Sequence, residues 1–345
     1  MDKIIRFLAY LIIVVTFLFF IDFVLFSKVL DLGASRFRAN LENKHLFVPY
    51  PYVGFVSKDI AMSEPYSQYY TGNKLYSDEE KKIKIAFFGG STSAYNDPEK
   101  EDSLSIPQYL EKILKERLNK DVVVVNYACG GAHHRQHLHM LLEFLPKFKP
   151  DIVVFYGGNN EIMQTYGDDP RPNYPLNYFY QVDLPTWKKF FIEYSAVISV
   201  LVAKFEYIIR DDLCNRINFR SKQWEEHLIK NYFETLDLSN TIVSSFDSSL
   251  FGKCKFISIF QPINVDYYLE TDVEKQIAAE QDAIITYIRG ELPKLSYSYD
   301  FYHKYDHFSE EVWYDICHVR DEANQYMANE IADLLINKYL KKYEK

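Results

Sequence analysis

Glycine and cysteine are scarce in this sequence, and each scarcity excludes a class of protein. The 345 residues include only 12 glycines, against 29 tyrosines and 26 phenylalanines, which excludes a fibrous or low-complexity chain. No C-x-x-C pair occurs, so neither a zinc ribbon nor a thioredoxin-like motif is supported. The four cysteines, interpreted as buried free thiols, are Cys129, Cys214, Cys254 and Cys317. An oxidised Cys129–Cys317 pair stays open as the alternative.

Positive charge is also in short supply. The 39 basic residues are outnumbered by 48 acidic ones, for a net charge of −9, and no long run of Lys and Arg occurs. This balance argues against a nucleic-acid partner, because proteins that bind nucleic acids contact the phosphate backbone with clustered positive charge. A hydrophobic fraction of 48% and this length suit one large α/β domain with an anchor, or two small domains.

The Gly-rich loops that bind nucleotides are missing, and no cofactor is predicted. Neither G-x-x-x-x-G-K-[ST] nor G-x-G-x-x-G occurs in the loop around Ser91, and Ser93 takes the place of the second glycine in the G-x-S-x-G nucleophile elbow. A histidine-rich stretch with His133, His134, His137 and His139 follows later. These residues lie too close together to share one helical face with further ligands, so no metal site is predicted.

The N-terminus carries the longest apolar stretch. Phe7–Ile21 and Phe23–Phe26 together nearly span a bilayer, so residues 1–26 are predicted to hold an N-terminal transmembrane helix that anchors the chain. Lys3 and Arg6 precede it, which predicts a cytoplasmic N-terminus and an extracytoplasmic catalytic domain. A removable signal peptide and a buried core helix are the alternatives.

Residues 81–345 predict an α/β domain with a doubly wound parallel sheet. Continuous apolar runs of this kind suit central parallel strands, and helical patterns separate them. The predicted strands are Ile83–Phe88, Val122–Asn126, Ile152–Tyr156 and Lys255–Phe260. The predicted helices are Ile106–Leu118, Gln136–Phe148, about 273–289 and about 322–340.

Two segments depart from this alternation. Residues 27–80 form a polar, Tyr-rich connector with several prolines, interpreted as mostly irregular. Residues from about 166 to 250 are predicted to be a helical insertion, with an apolar helical pattern at Ala196–Ile209. A lid or a membrane-lying surface is possible for the insertion, but additional core is favoured because apolar stripes usually pack inward.

Polar and glycine residues follow the first three predicted strands. Gly89-Gly90-Ser91 follows the first, and a substrate carbonyl can approach the backbone closely beside its glycines. The segments Asn126–Gly131 and Tyr156–Glu161 follow the other two, and the ends of parallel strands meet at one edge of a sheet. The backbone N–H of Gly131 and the side-chain amide of Asn160 are suitable oxyanion donors, although the adjacent Gly130 stays open as the donor glycine.

Asp315 and His318 stand near the C-terminus in a D-x-x-H spacing that lets one short loop supply an acid and a base. His318 would take the proton of Ser91, and Asp315 would hold the imidazole in the required tautomer. The three residues are therefore the candidate catalytic triad.

The ordered blocks resemble those of SGNH/GDSL-type hydrolases, from about residue 83 to the end and without the insertion. The blocks are Gly-Gly-Ser91-Thr, Gly131, Gly158-x-Asn160-Glu161 and Asp315-x-x-His318. The resemblance implies a flavodoxin-like three-layer α/β/α fold, a catalytic triad and an oxyanion hole formed by Ser91, Gly131 and Asn160. Two positions depart from the family. Gly-Gly-Ser replaces the usual Gly-Asp-Ser, and Glu161 replaces the commoner Asp.

Three functions compete. An esterase would remove acyl groups, most plausibly acetyl from a cell-surface glycan, through an acyl-Ser91 intermediate. A membrane-associated O-acyltransferase would use the same intermediate, with a membrane partner as acyl donor. A catalytically silent glycan-binding module on an inherited fold is the third. Arg135 at the rim and Gln261 after the fourth strand are predicted to contact the substrate.

Overall fold

The computed structural model describes residues 2–22, 47–50, 53–57, 82–167, 169–174, 195, 197–198, 201, 210–267 and 270–345. The chain divides into two compact units. The first comprises Met1–Pro49 with Asn177–Phe219, and the second comprises Tyr50–Leu176 with Arg220–Lys345.

The helices and strands have the following bounds. The strands in chain order are β1 (Phe47–Tyr50), β2 (Gly54–Ser57), β3 (Ile83–Gly89), β4 (Val122–Asn126), β5 (Ile152–Gly157), β6 (Asp247–Ser248), β7 (Gly252–Lys253), β8 (Lys255–Phe260) and β9 (Ser298–Asp300). The helices in chain order are α1 (Asp2–Phe20), α2 (Ser91–Ala94), α3 (Ile106–Arg117), α4 (His134–Phe148), α5 (Asn159–Gly167), α6 (Lys222–Ser245), α7 (Asp272–Glu291) and α8 (Asp321–Leu335). A π-helical turn at Ile336–Leu340 continues α8.

The first unit contains α1. The Asp22 carboxylate, just beyond α1, accepts hydrogen bonds from the Ser195 hydroxyl and from the Val197 N–H. No helix within the described residues is both long and apolar enough to cross a membrane. Residues 23–26 of the predicted transmembrane helix lie outside the described residues.

A five-stranded sheet in the order β4-β3-β5-β8-β9 forms the centre of the second unit, and every neighbouring pair is parallel. The chain runs from β3 outward to β4 and then crosses back to β5 on the other side of β3. Such a reversal opens a crevice at the carboxyl ends of the two strands between which it occurs, here β3 and β5. The sheet topology thus places a site beside Gly89 and Gly157.

Helices cover both faces of the sheet. On one face, α3 and α8 pack against alternate residues of the strands, including Ile85 of β3 and Val124 of β4. On the other face, α4 meets Phe88 and Phe155 through the rings of His137 and His134, and α6 packs against β8 and α4. Burial of each such large apolar side chain stabilises the fold by about 1.5–3 kcal/mol. The predicted parallel sheet with flanking helices is confirmed.

The predicted insertion is partly core. Within it, α6 packs against β8 and α4, and its buried side chains include Leu228, Tyr232, Leu236 and Val243. This part is therefore a layer of the domain, the alternative favoured above. Most of the pattern at 196–209 and most of the connector lie outside the described residues. The sequence missed β9, whose three residues are too short for a periodic pattern.

Candidate active site

Ser91 is the first residue of α2 and follows β3 by one residue. Backbone N–H groups in the first turn of a helix have no intrahelical partner, so the N–H of Ser91 can serve as a donor. A Cβ atom on Gly90 would lie 2.5 Å from Asn160 Nδ2. Glycine before the nucleophile therefore allows the side-chain amide of Asn160 to lie directly beside it.

Side chains from the ends of two other strands hold α2 in place. Asn126 Nδ2 donates to the carbonyl oxygen of Ser93 at 3.1 Å, and Thr92 Oγ1 donates to Gln261 Oε1 at 3.1 Å. Asn126 ends β4, the neighbour of β3, whereas Gln261 follows β8, two strands away from β3. The nucleophile is thus positioned by the sheet and not only by its own short helix.

A closed loop presents the D-x-x-H residues. Trp313 and Val319 form an antiparallel bridge, and the Tyr314 N–H donates to the His318 carbonyl at 2.9 Å. The tip is held by the Asn264 N–H, which donates to the Ile316 carbonyl at 2.8 Å. These contacts fix the direction of the loop between β9 and α8.

The loop brings the three predicted triad residues together. His318 Nε2 lies 2.7 Å from Ser91 Oγ, although 227 residues separate them in the chain. His318 Nδ1 lies 2.6 Å from Asp315 Oδ2. The nucleophile, the base and the residue that orients the base therefore form a continuous hydrogen-bonded chain.

Asp315 keeps its negative charge over a wide pH range. Burial alone raises the pKa of Asp315, but hydrogen bonds from the His318 side chain and from the N–H groups of His318 and Cys317 outweigh burial. Together they lower the pKa of Asp315 to about 2. The Asp315 carboxylate keeps Nδ1 of His318 protonated, and Nε2 of His318 is then free to take the proton of Ser91.

The two candidate oxyanion residues meet at a backbone turn. Gly131 has φ 71°, a left-handed conformation that glycine adopts without strain. Gln164 Nε2 donates to the Gly131 carbonyl at 2.6 Å, and Asn160 Nδ2 donates to the Ala132 carbonyl at 2.7 Å. Gly130 is buried whereas Gly131 is half-buried, which favours Gly131 as the donor. One N–H of the Asn160 amide remains for an oxyanion.

Replacement of Asn160 by alanine is expected to lower kcat by about 10²–10³-fold, because it removes one oxyanion donor. The substitution should be measured with p-nitrophenyl acetate beside Asn329→Ala, a half-buried position on α8. Loss of activity in Asn160→Ala alone supports the assignment. A decrease of less than about fivefold would assign the oxyanion to backbone donors only.

A buried ion pair joins the two oxyanion loops, and the sequence reading missed it. Glu161 is 8% exposed and accepts hydrogen bonds from the N–H groups of His134 and Gly158. Its Oε1 atom lies 2.7 Å from His134 Nδ1. Burial alone raises the pKa of Glu161, but the charge and hydrogen bonds of His134 outweigh burial and hold the pKa well below its usual range. The only signal of this contact in the sequence is Glu161 itself, which stands where the resembled family more commonly has Asp.

Two further histidines of the stretch are buried without charge. Burial lowers the pKa of His133, and it lowers the pKa of His137 to about 3. His137 Nε2 lies 3.0 Å from the carbonyl oxygen of Gly89. These rings pack as part of the core behind the site.

The buried histidines predict a loss of stability in mild acid. An unfolded histidine gains a proton below a pH of about 6.5, whereas folded His137 remains neutral to about 3, so the unfolded state binds more protons. The free energy of unfolding should fall by up to about 1.4 kcal/mol per pH unit for each such group below about 6.5. Urea unfolding at several pH values tests this. His137→Gln should flatten the slope, and an unchanged slope would contradict the prediction.

Gln261 and Arg135 are the residues predicted to contact the substrate. Gln261 is 2% exposed, and its side-chain oxygen accepts from Thr92, so it supports the nucleophile helix instead of facing substrate. Arg135 is half-buried in the first turn of α4. Neither Cys129 nor Cys317 forms a disulfide, so the alternative of an oxidised pair is wrong.

Cys317 also belongs to a group of possible metal ligands. Its sulfur and the ligand atoms of Asp315 and His318 lie within 4.8 Å of one another. Because His318 Nδ1 already lies 2.6 Å from Asp315 Oδ2, there is no room for an ion between these two atoms. The geometry therefore fits a hydrogen-bonded triad.

A cavity of about 410 Å³ opens beside the nucleophile and the base. Its lining includes Ser91, His318, Tyr95, Tyr314, Val319 and Asn324. A volume of this order accommodates a small organic molecule and far exceeds that of a water molecule.

Comparisons with known proteins match no protein family and no curated protein. Among solved structures, the chain is similar to a carbohydrate acetylesterase family member from Sinorhizobium meliloti, with a TM-score of 0.43 and 12% identity over 76% of this chain and 99% of that one. It is similar to a lipase/acylhydrolase from Enterococcus faecalis, with a TM-score of 0.39 and 14% identity over 75% of this chain and 96% of that one. It is also similar to a GDSL-like lipase from Bacteroides thetaiotaomicron, with a TM-score of 0.39 and 12% identity over 76% of this chain and 92% of that one. These similarities are too low to carry a function to this chain.

Proposed function

We propose that the chain is a serine ester hydrolase of the SGNH type that works through an acyl-Ser91 intermediate. One observation carries the proposal, the hydrogen-bonded chain from Ser91 Oγ through His318 to Asp315, with distances of 2.7 and 2.6 Å. This arrangement activates a hydroxyl, which at its ordinary pKa is a weak nucleophile. The presence of all three groups in contact argues against the silent binding module.

In the acylation step, Ser91 Oγ attacks the ester carbonyl while His318 Nε2 takes its proton. The carbonyl oxygen becomes an oxyanion, and the Asn160 amide with the N–H groups of Ser91 and Gly131 supplies its donors. When the intermediate collapses, the ester C–O bond breaks. His318 returns the proton to the departing alcohol, and the acyl group remains on Ser91.

In the deacylation step, water takes the place of the alcohol. His318 removes a proton from water, the resulting hydroxide attacks the acyl carbon, and the same oxyanion donors act again. His318 then protonates Ser91 Oγ as the acid is released. Because Asp315 is already ionised above a pH of about 2, its protonation should not limit activity near neutral pH.

The proposed substrate is an O-acetylated glycan or a similar ester. Purified protein should hydrolyse p-nitrophenyl acetate, and a fluorophosphonate should label Ser91 covalently. Labelling that is lost in Ser91→Ala supports the proposal. Absence of both hydrolysis and labelling in folded protein would overturn it.

The acyltransferase alternative uses the same acyl-Ser91 intermediate, and the cavity beside His318 supports it because an acceptor alcohol could replace water there. A membrane protein that donates the acyl group remains part of this alternative. Addition of a glycan acceptor should then raise turnover and give an acylated product. If the acceptor leaves both turnover and product unchanged, hydrolysis is the activity.

We also propose that α1 associates with a membrane. Its exposed apolar side chains include Phe7, Tyr10 and Ile12, which point in different directions around the helix and are 66%, 70% and 64% exposed. An exposed apolar surface of this extent indicates a contact with lipid or protein, and the nearby Lys3 and Arg6 suit anionic head groups. The full chain should sediment with membranes, whereas a chain without residues 1–22 should not. Protease accessibility from outside the cell would test the extracytoplasmic location that goes with this proposal.

A further inference from the structure

Asp97 joins the segment that carries the nucleophile to the loop that carries the base. It lies just beyond α2, and its side chain is 7% exposed. Asp97 Oδ1 accepts a hydrogen bond from the Tyr314 hydroxyl at 2.6 Å, and Asp97 Oδ2 accepts one from the Asp321 N–H at 2.9 Å. Tyr314 and Asp321 stand on either side of His318 in the chain. The carboxylate therefore holds both sides of the base loop, residues 313–319.

The backbone around Asp97 is itself held in one place. The Ser103 hydroxyl donates to the Asp97 carbonyl at 3.0 Å, and Asn96 Nδ2 donates to the Ser103 carbonyl at 2.9 Å. Within the same turn, the Glu99 N–H donates to Asp97 Oδ1 at 2.9 Å. A carboxylate on a fixed turn can fix the position of the groups that it binds relative to α2.

Asp97 is ionised at neutral pH. Burial alone raises the pKa of Asp97, but hydrogen bonds from the Tyr314 hydroxyl and from two backbone N–H groups outweigh burial and hold the pKa below its usual value. Hydrogen bonds to an ionised acceptor are about twice as strong as those between neutral groups. The contacts of this carboxylate are therefore strong enough to determine where the base loop lies.

From these contacts, and resting on the esterase function proposed above, we infer that Asp97 is a positioning residue that holds His318 at the required distance from Ser91. Asp97 is not among the residues that line the cavity, so it acts through the base loop and not on the substrate. The sheet fixes Ser91 through α2, and Asp97 fixes the base loop relative to the same helix. A displacement of about 1 Å between reacting groups can lower a rate by about 10²-fold, so loss of this contact should slow catalysis.

Asp97→Asn tests this inference because it keeps the size of the side chain. An amide has only one acceptor oxygen, so its NH₂ group would face the N–H of either Asp321 or Glu99, and both are donors. We expect kcat for p-nitrophenyl acetate to fall by about 10-fold to 100-fold. KM should stay within about twofold, because acylation and deacylation both use His318 and slow together. Asp102→Asn makes the same change at an exposed position of the same segment and should keep wild-type kinetics.

The reaction of Ser91 with a fluorophosphonate separates positioning from folding. In this reaction Ser91 Oγ bonds to phosphorus, His318 takes the serine proton and fluoride leaves. A positioning role predicts complete labelling of Asp97→Asn, at a rate constant lowered by about the same factor as kcat. A merely structural role predicts a smaller labelled fraction instead, because unfolded molecules do not react and folded ones react at the wild-type rate. That second result would overturn the inference.

Tyr314→Phe gives a second measurement that decides the question if Asp97→Asn does not fold. It removes only the hydroxyl that donates to Asp97 and keeps the ring that lines the cavity. We expect kcat to fall by about threefold to tenfold with KM unchanged, because the Asp321 N–H still holds the base loop. Tyr287→Phe removes the hydroxyl of an exposed tyrosine on α7 and is the matched control.

The outcomes distinguish the positioning role from the esterase function. If Ser91→Ala abolishes hydrolysis but Asp97→Asn and Tyr314→Phe keep the wild-type kcat, the positioning role is wrong and the esterase function stands. If folded wild-type protein shows neither hydrolysis nor labelling, the esterase function fails and the positioning role fails with it. A lowered kcat with complete but slow labelling, while Asp102→Asn is unchanged, supports the positioning role.

Discussion

Replacement of Ser91 by alanine is expected to lower kcat by on the order of 10⁴ to 10⁶-fold while the protein stays folded. The substitution deletes the one oxygen that lies 2.7 Å from His318 Nε2, and with it the covalent intermediate. His318→Ala should lower kcat by about the same factor, because the nucleophile and the base act as a unit. Asp315→Asn should retain more activity. Hydrolysis of p-nitrophenyl acetate, with urea unfolding to confirm the fold, measures these losses.

Ser93 is the matched control for this experiment, because it lies in the same short helix as Ser91. Its side chain is fully buried, and its hydroxyl donates to the Gly90 carbonyl at 3.2 Å, so it cannot meet a substrate. Ser93→Ala should keep activity within about tenfold of wild type, at a cost of about 1 kcal/mol in stability. Equal losses in Ser91→Ala and Ser93→Ala would mean that the helix, and not the nucleophile, is being damaged.

Replacement of Glu161 by glutamine is expected to lower the free energy of unfolding by about 3–5 kcal/mol, because it breaks a buried ion pair by removing one partner. The carboxylate accepts from the N–H groups of His134 and Gly158. A glutamine amide can replace only one of its oxygens as an acceptor, so its NH₂ group would face a backbone donor. Since these two N–H groups belong to the two oxyanion loops, kcat should fall as well.

Glu116→Gln makes the same chemical change on the exposed face of α3 and should alter stability by less than about 0.5 kcal/mol. The pH dependence adds a second check. Because the folded pKa of Glu161 is depressed, its stabilisation is present above the unfolded value of about 4.3 and is lost as the pH falls below it. Glu161→Gln should lack this contribution. Equal stability of Glu161→Gln and wild type at pH 7 would rule out a stabilising ion pair.

Local patterns in the sequence were sufficient for most of the elements. The four apolar runs are β3, β4, β5 and β8, because strands buried on both faces leave continuous apolar stretches. The helices α3, α4, α7 and α8 follow from apolar residues at helical spacing. The short β9 left no such pattern, because its three residues are too few to show a period.

Contacts between distant residues were beyond such patterns. The sequence placed Gln261 at the substrate, but the structure turns its side chain toward Thr92 behind the nucleophile. The contact of His134 with Glu161 depends on how α4 meets the start of α5, which the spacing of the histidines does not show. The direction in which a side chain points after a strand depends on the packing around it. The spacing of residues along the sequence carries no information about that packing.

By itself the sequence determined the order of strands and helices and the residue types available at the strand ends, because burial on a sheet or helix leaves a periodic trace in the chain. Only the tertiary structure decided that His318 meets Ser91 across 227 residues, that Glu161 joins the two candidate oxyanion loops, and that a cavity opens beside Ser91 and His318. These features arise from the crossover of the chain at β3 and β5 and from the packing of loops over it, which depend on long-range contacts.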